Sequence, residues 1–189
     1  RENPWLEAVE IQNSAHPFHD WNARITDECY GPNTTARILD ENGKIAEIVN
    51  NYSRISFNFG PTLLAWLQNH SLRTYQAILD ADRDSREYFS GHGSALSQVY
   101  NHIIMPLANT RDRRTQVLWG IKDFESRFGR SPEGMWLPET AVDLETLDVL
   151  SEHGIKFTIL APNQADKVRA INDEDWQDVS DSSIDPTTA

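Results

Sequence analysis

The stretch Glu133-Gly134-Met135-Trp136-Leu137-Pro138-Glu139-Thr140, followed after one helical segment by Ile155-Lys156-Phe157-Thr158-Ile159-Leu160, carries the reading of the fold. Residues 133–138 are a short apolar run that reads as a strand. Residues 141–153 put Leu144, Leu147 and Leu150 on one side of a helix, and Gly154 ends it. Residues 155–160 read as a further strand. Working back along the chain, Val117, Ile121, Phe124 and Phe128 recur at helical spacing and predict a helix over 110–128, with Gly129 as its C-terminal stop. Residues 95–100 read as a short strand. Residues 72–89 read as a helix with Leu72, Tyr75, Ile78 and Leu79 inward, stopped by Gly91 and Gly93. Residues 54–59 alternate, with Ile55, Phe57 and Phe59 on one face. Gly60-Pro61 then opens a helix whose inner side is Leu63, Leu64 and Leu67. Helices are expected around 20–30 and 34–39. Strand and helix alternating at this spacing predict an α/β fold of parallel βα units.

Composition bounds the function. The 189 residues carry 17 Lys and Arg against 29 Asp and Glu, a formal charge of −12. Phosphate binding needs clustered cations, so nucleic acid is excluded as a partner. An anionic membrane surface is excluded for the same reason, and no apolar run is long enough to span a bilayer. The sequence opens without Met or an apolar leader, and its one cysteine, Cys29, allows neither an internal disulfide nor a cysteine zinc site. Those two features together set the expectation of a cytoplasmic protein. Cys29 itself reads as a small buried hydrophobe. About four strands cannot close an eight-stranded barrel, which takes about 250 residues. The sheet is therefore either open or part of a larger barrel. Residues 1–165 read as that partial domain, and 166–189 as an acidic, polar connection or tail.

Glu139 is the leading candidate for chemistry. It follows a strand and precedes a helix, the place where βα folds hold their active sites. A carboxylate here can serve as nucleophile, general base or metal ligand. It can equally be an acid favoured by the helix dipole. Trp136 can stack on a sugar ring or fill the core. His102, in Asn101-His102-Ile103-Ile104-Met105-Pro106-Leu107, can touch substrate, orient a carboxylate or sit satisfied in the core. His92 lies between Gly91 and Gly93, which permits close backbone approach to a ligand or a plain surface turn. Asn58 sits near the carboxyl end of its strand, as a substrate contact or a satisfied edge residue. His92 and His102, ten residues apart with no carboxylate nearby, match no metal-ligand spacing, so no metal and no cofactor is expected.

Gly134-Met135-Trp136-Leu137-Pro138-Glu139-Thr140-Ala141 resembles the Trp-x-x-Glu motif of glycoside hydrolase family 57. His102-x-x-x-Pro106-Leu107 resembles that family's second motif. Arg1 to Trp5, Asn50 to Pro61 and Gly91-His92-Gly93 resemble its α-amylase/α-mannosidase-like subgroup, and the likeness runs from Arg1 to about Gln164. The resemblance implies part of an incomplete (β/α)7 barrel. It implies a retaining enzyme acting on α-glucan or a related oligosaccharide through a covalent glycosyl-enzyme on Glu139, with Trp136 and His102 beside the substrate. Such chemistry needs two carboxyl groups about 5–5.5 Å apart, and a proton donor of raised pKa. The family's first motif and its acid-bearing strand have no match in these residues. The resemblance therefore implies a fragment, inactive alone, whose general acid lies outside the chain and whose partner is the rest of its own barrel. Two other readings compete: a non-catalytic carbohydrate-binding or degenerate domain, and a metal-dependent carbohydrate hydrolase or deacetylase.

Overall fold

The structure, a computed structural model, describes residues 2–3, 8–180 and 184. Arg1, Pro4 and Trp5, where part of the resemblance falls, and Asp181 and Asp185 of the acidic run lie outside the described residues. β1 (Glu2–Asn3) and β2 (Ala8–Val9) pair antiparallel. α1 (Trp21–Ile25) starts on Asp20, whose carboxylate accepts the Ala23 N–H, and a π-helical stretch, Thr26–Tyr30, joins it to α2 (Gly31–Thr34). β3 (Ala36–Leu39) and β4 (Ile45–Val49) form an antiparallel hairpin. Then come β5 (Phe57–Asn58), α3 (Pro61–His70), α4 (Leu72–Ser85), β6 (Ala95–Gln98), α5 (Thr110–Phe128), β7 (Met135–Trp136) and α6 (Leu144–Glu152). β8 (Lys167–Val168) and β9 (Gln177–Asp178) form a last antiparallel pair within the acidic segment.

The central sheet runs β5-β6-β7 in chain order, and both pairings are parallel. Residues 155–160 extend it only through a parallel bridge between Gly134 and Phe157, with the Met135 N–H donating to the Phe157 carbonyl at 3.1 Å. Two apolar clusters lie on one face of this sheet. Phe57 and Ala95 meet Leu64, Leu67, Tyr75, Ile78, Ala81 and Phe124 of α3, α4 and α5. Val99, Met135, Leu137 and Ile155 meet Val117, Ile121, Val149 and Leu150 of α5 and α6. Registered neighbours share a face, so Asn58, Leu96, Gln98 and Trp136 point to the other side, away from the helix residues of both clusters. Parallel strands in chain order with helices on one face are a sector of a β/α barrel. A doubly wound sheet carries helices on both faces.

α5 lies almost against the backbone of β6. A Cβ added to Gly120 would run into the Gln98 carbonyl oxygen, with the Val99 Cα 3.3 Å away. Backbone cannot swing aside as a side chain can. Gly120→Ala is expected to destabilise the fold by about 1–3 kcal/mol, read as a lower urea midpoint at unchanged slope.

Several expected elements differ. Residues 36–39 are a strand, because Asp40 folds the chain back: its Oδ1 accepts the N–H groups of Asn42 at 2.9 Å and Lys44 at 2.8 Å, and Gly43 takes φ 73°. The 54–59 strand shrinks to Phe57–Asn58, since a 3₁₀ turn at Asn51–Ser53 reaches Arg54 and leaves Ile55 exposed. α4 ends at Ser85, before the glycines, where the Ser85 hydroxyl donates to the Asp82 carbonyl at 2.7 Å and accepts the Ser94 N–H at 2.8 Å. Leu72, Leu144 and Leu147 are exposed; of the expected side of α6 only Leu150 is buried, together with Thr146 and Val149. Cys29 is exposed rather than buried.

Candidate active site

The carboxyl ends of β5, β6 and β7 carry four of the five expected residues. Glu139 follows β7 and His102 follows β6, and His102 Nε2 lies 3.0 Å from Glu139 Oε1. Both side chains are open to solvent, at 61% and 68% exposure. The Trp136 ring sits 5.8 Å from the imidazole at a 58° tilt. Trp136 is in register with Gln98, and Gln98 Oε1 accepts the Asn58 Nδ2 amide at 2.8 Å. An indole face, two primary amides, an imidazole and a carboxylate thus line one side and one end of the sheet. Gln98 escapes the sequence reading: alternation puts it on one face with Leu96, and only the register of β6 with β7 sets it beside Trp136.

The backbone at Glu139 is unusual. Glu139 has φ 56° and Thr140 φ 52°, consecutive left-handed residues without a glycine, one of them β-branched. Each such residue costs roughly 1–2 kcal/mol, and strain of this kind collects at functional sites. Pro138 precedes them, and a 3₁₀ turn over Pro138–Thr140 is held by the Thr140 N–H on the Leu137 carbonyl at 3.0 Å. Outward projection of the Glu139 carboxylate follows from this turn, which keeps it off the dipole of α6. The helix-start acid is instead Asp143, whose Oδ1 accepts the Thr146 N–H at 2.8 Å. The Thr146 hydroxyl, the Thr146 N–H and Arg113 hold the Asp143 carboxyl below the usual range.

Arg113 ties together the loops that follow β6 and β7. It is 3% exposed and comes from the first turn of α5. Its guanidinium donates to the Met105 carbonyl at 3.3 Å and the Ala108 carbonyl at 3.2 Å, in the loop after His102. It also pairs with Asp143 at 3.2 Å and Glu145 at 2.6 Å, in the segment after Glu139.

His92 does not join this group. It precedes β6, whereas His102 follows it, so the two histidines lie at opposite ends of one strand. That placement keeps His92 out of the group around Glu139. Among the described residues no three His, Cys, Asp or Glu side chains converge on a common point. His92 Nδ1 lies 2.7 Å from Glu133 Oε2, and Lys156 Nζ lies 2.9 Å from Glu133 Oε1. Lys156 and His92 together hold the Glu133 carboxyl down at about 2. Gly93 admits not a ligand but the neighbouring Asp82–Arg130 pair, which a Cβ there would strike.

The Glycosyl hydrolase family 57 profile matches residues 13–169, and the chain belongs to that family. It is 25% identical over 107 residues to Alpha-amylase 1 of Dictyoglomus thermophilum, covering 56% of this chain and 15% of the amylase. Among solved structures it resembles the exo-type maltose-forming amylase of Pyrococcus sp. ST04, with TM-score 0.53 and 19% identity over 76% of this chain and 21% of that one. The 4-α-glucanotransferase of Thermococcus litoralis matches with TM-score 0.45 and 22% identity, over 58% of this chain and 17% of that enzyme. The chain thus spans about a fifth or less of the length of each of these proteins. The first structural match agrees with the barrel-sector reading of the sheet.

Proposed function

We propose that these residues are the nucleophile-bearing sector of a retaining glycoside hydrolase or transglycosylase acting on α-glucan. The observation that carries this reading is Glu139 itself: a solvent-open carboxylate on a strained turn at the carboxyl end of β7, 3.0 Å from His102. Family membership and the amylase relative support the substrate class.

In this reading His102 engages Oε1 and leaves Oε2 free to attack the anomeric carbon. The glycosidic C–O bond breaks as the Glu139 ester forms, and a general acid protonates the leaving oxygen. Water or an acceptor hydroxyl, giving its proton back to the now deprotonated acid, then displaces Glu139 and restores its carboxylate, so the anomeric configuration is retained. The acid comes from the rest of the barrel, which also covers the face bearing Asn58, Leu96, Gln98 and Trp136. Parallel sheets are buried on both faces, and this requirement favours such a cover. Trp136 stacks on a sugar ring, while Asn58 and Gln98 bond its hydroxyls.

The test is covalent trapping in the full-length protein. Incubation with a 5-fluoro-α-glucosyl fluoride should label the peptide containing Glu139 by the mass of one fluoroglucosyl unit. Labelling of another carboxylate, with none at Glu139, would reject the assignment.

A further inference from the structure

Two consecutive left-handed residues need something to hold them, and one side chain does so from outside their own turn. Gln164 ends a 3₁₀ turn, Pro162–Gln164, beyond the 155–160 segment. Its Nε2 donates to the Thr140 carbonyl at 2.8 Å. Its Oε1 accepts the Ala161 N–H at 2.7 Å, and its own N–H donates to the Ala161 carbonyl at 2.9 Å.

We infer that Gln164 is a positioning residue, whose amide clamps the Thr140 carbonyl and so fixes the direction in which Glu139 points. The inference rests on Glu139 being the nucleophile. The Thr140 carbonyl lies one residue past Glu139, so its orientation sets that of the strained pair. Within the pair, the Thr140 hydroxyl donates to the Glu139 carbonyl at 2.7 Å, a bond that travels with the turn and cannot anchor it. Gln164 supplies an anchor from the adjacent strand end. Only a primary amide meets both demands, accepting from Ala161 and donating to Thr140 through one planar group. The Ala161 bond orients the amide, so its NH₂ faces the carbonyl without rotamer search. A carboxylate in its place keeps the Ala161 bond, loses the donor and sets an anionic oxygen against the carbonyl.

That asymmetry separates positioning from plain turn structure. In the full-length enzyme, Gln164→Glu and Gln164→Ala would be compared with wild type for Tm, kcat and KM on a malto-oligosaccharide. The rate of Glu139 labelling by the 5-fluoro-α-glucosyl fluoride would be followed alongside. Both variants should lose roughly tenfold to a hundredfold in kcat and in labelling rate, the scale of a misplaced reacting group. KM should stay within about threefold of wild type, as expected when ground-state binding is untouched. If Gln164→Glu keeps wild-type kcat, the residue serves only the Ala161 turn and the inference falls. It falls too if kcat losses merely track a drop in Tm across the two variants. If wild-type enzyme is not labelled at Glu139, the nucleophile reading and this one fall together. Labelling at Glu139 with indifferent Gln164 variants overturns the clamp alone.

Discussion

Glu139→Gln in the full-length enzyme is expected to lower kcat on α-glucan by roughly 10⁴-fold or more, the scale seen when a nucleophile is removed. The amide is nearly isosteric and cannot form the glycosyl ester. Folding should be unaffected, because the side chain is exposed and its one hydrogen bond is to His102, itself exposed. An unchanged Tm with kcat near zero is the expected pair of results. Residual turnover above a hundredth of wild type would sink the nucleophile role. The alanine variant adds a second readout: azide should enter the vacated space and yield the glycosyl azide of inverted configuration.

Asp82→Ala should have the largest effect on stability. Asp82 is 1% exposed, on α4, and faces the amino end of β6. Its carboxylate takes two bonds from Arg130, Nη2 at 2.6 Å and Nε at 2.9 Å, and accepts the Ala95 N–H at 2.8 Å. Arg86 approaches to 3.6 Å, and among the described residues its Nε has no hydrogen-bond partner. Truncation leaves a guanidinium only 16% exposed beside a second cation, with a buried strand N–H unpaired. Removing one partner of a buried pair typically costs about 3–5 kcal/mol. The same change at the exposed Glu28, paired with Arg24, should cost under about 0.5 kcal/mol. Chemical denaturation of both variants checks the contrast. Equal, small losses would mean that solvent reaches Arg130 freely.

Much of this was legible in the sequence where a pattern repeats or a local rule applies. The helix at 110–128 shows its apolar side from Val117 to Phe128, about three turns, and Gly129 takes φ 65° as a helix stop should. Glu139 is legible because strand-then-helix places it at a carboxyl end. Legibility fails where long-range pairing decides. The Asn58–Gln98 bond depends on which residues of β5 and β6 stand in register, 40 residues apart. The left-handed backbone at Glu139 and Thr140 has no glycine to announce it. The reach of Gln164 to Thr140 crosses 24 residues of chain. Leu144 and Leu147 misled because helical spacing identifies a face but not the direction it turns. The separation of His92 from His102 is legible too, since the strand expected over 95–100 already stands between them.

The charges that anchor the fold and the pair read as reactive sit at opposite ends of the same short strands. Asp82, Arg130, Glu133 and Lys156 gather where β6 and β7 begin, and His102 and Glu139 where they finish. Inherited variation can therefore work on the two ends independently. On the proposed function, changes in the turns after β5, β6 and β7 that spare the Arg113 contacts would alter sugar selection and leave the Asp82–Arg130 and Glu133–Lys156 pairs intact. Repairs to those pairs leave the chemistry alone. A lineage built on such strands can diversify its substrates for a long time before it has to renegotiate its architecture.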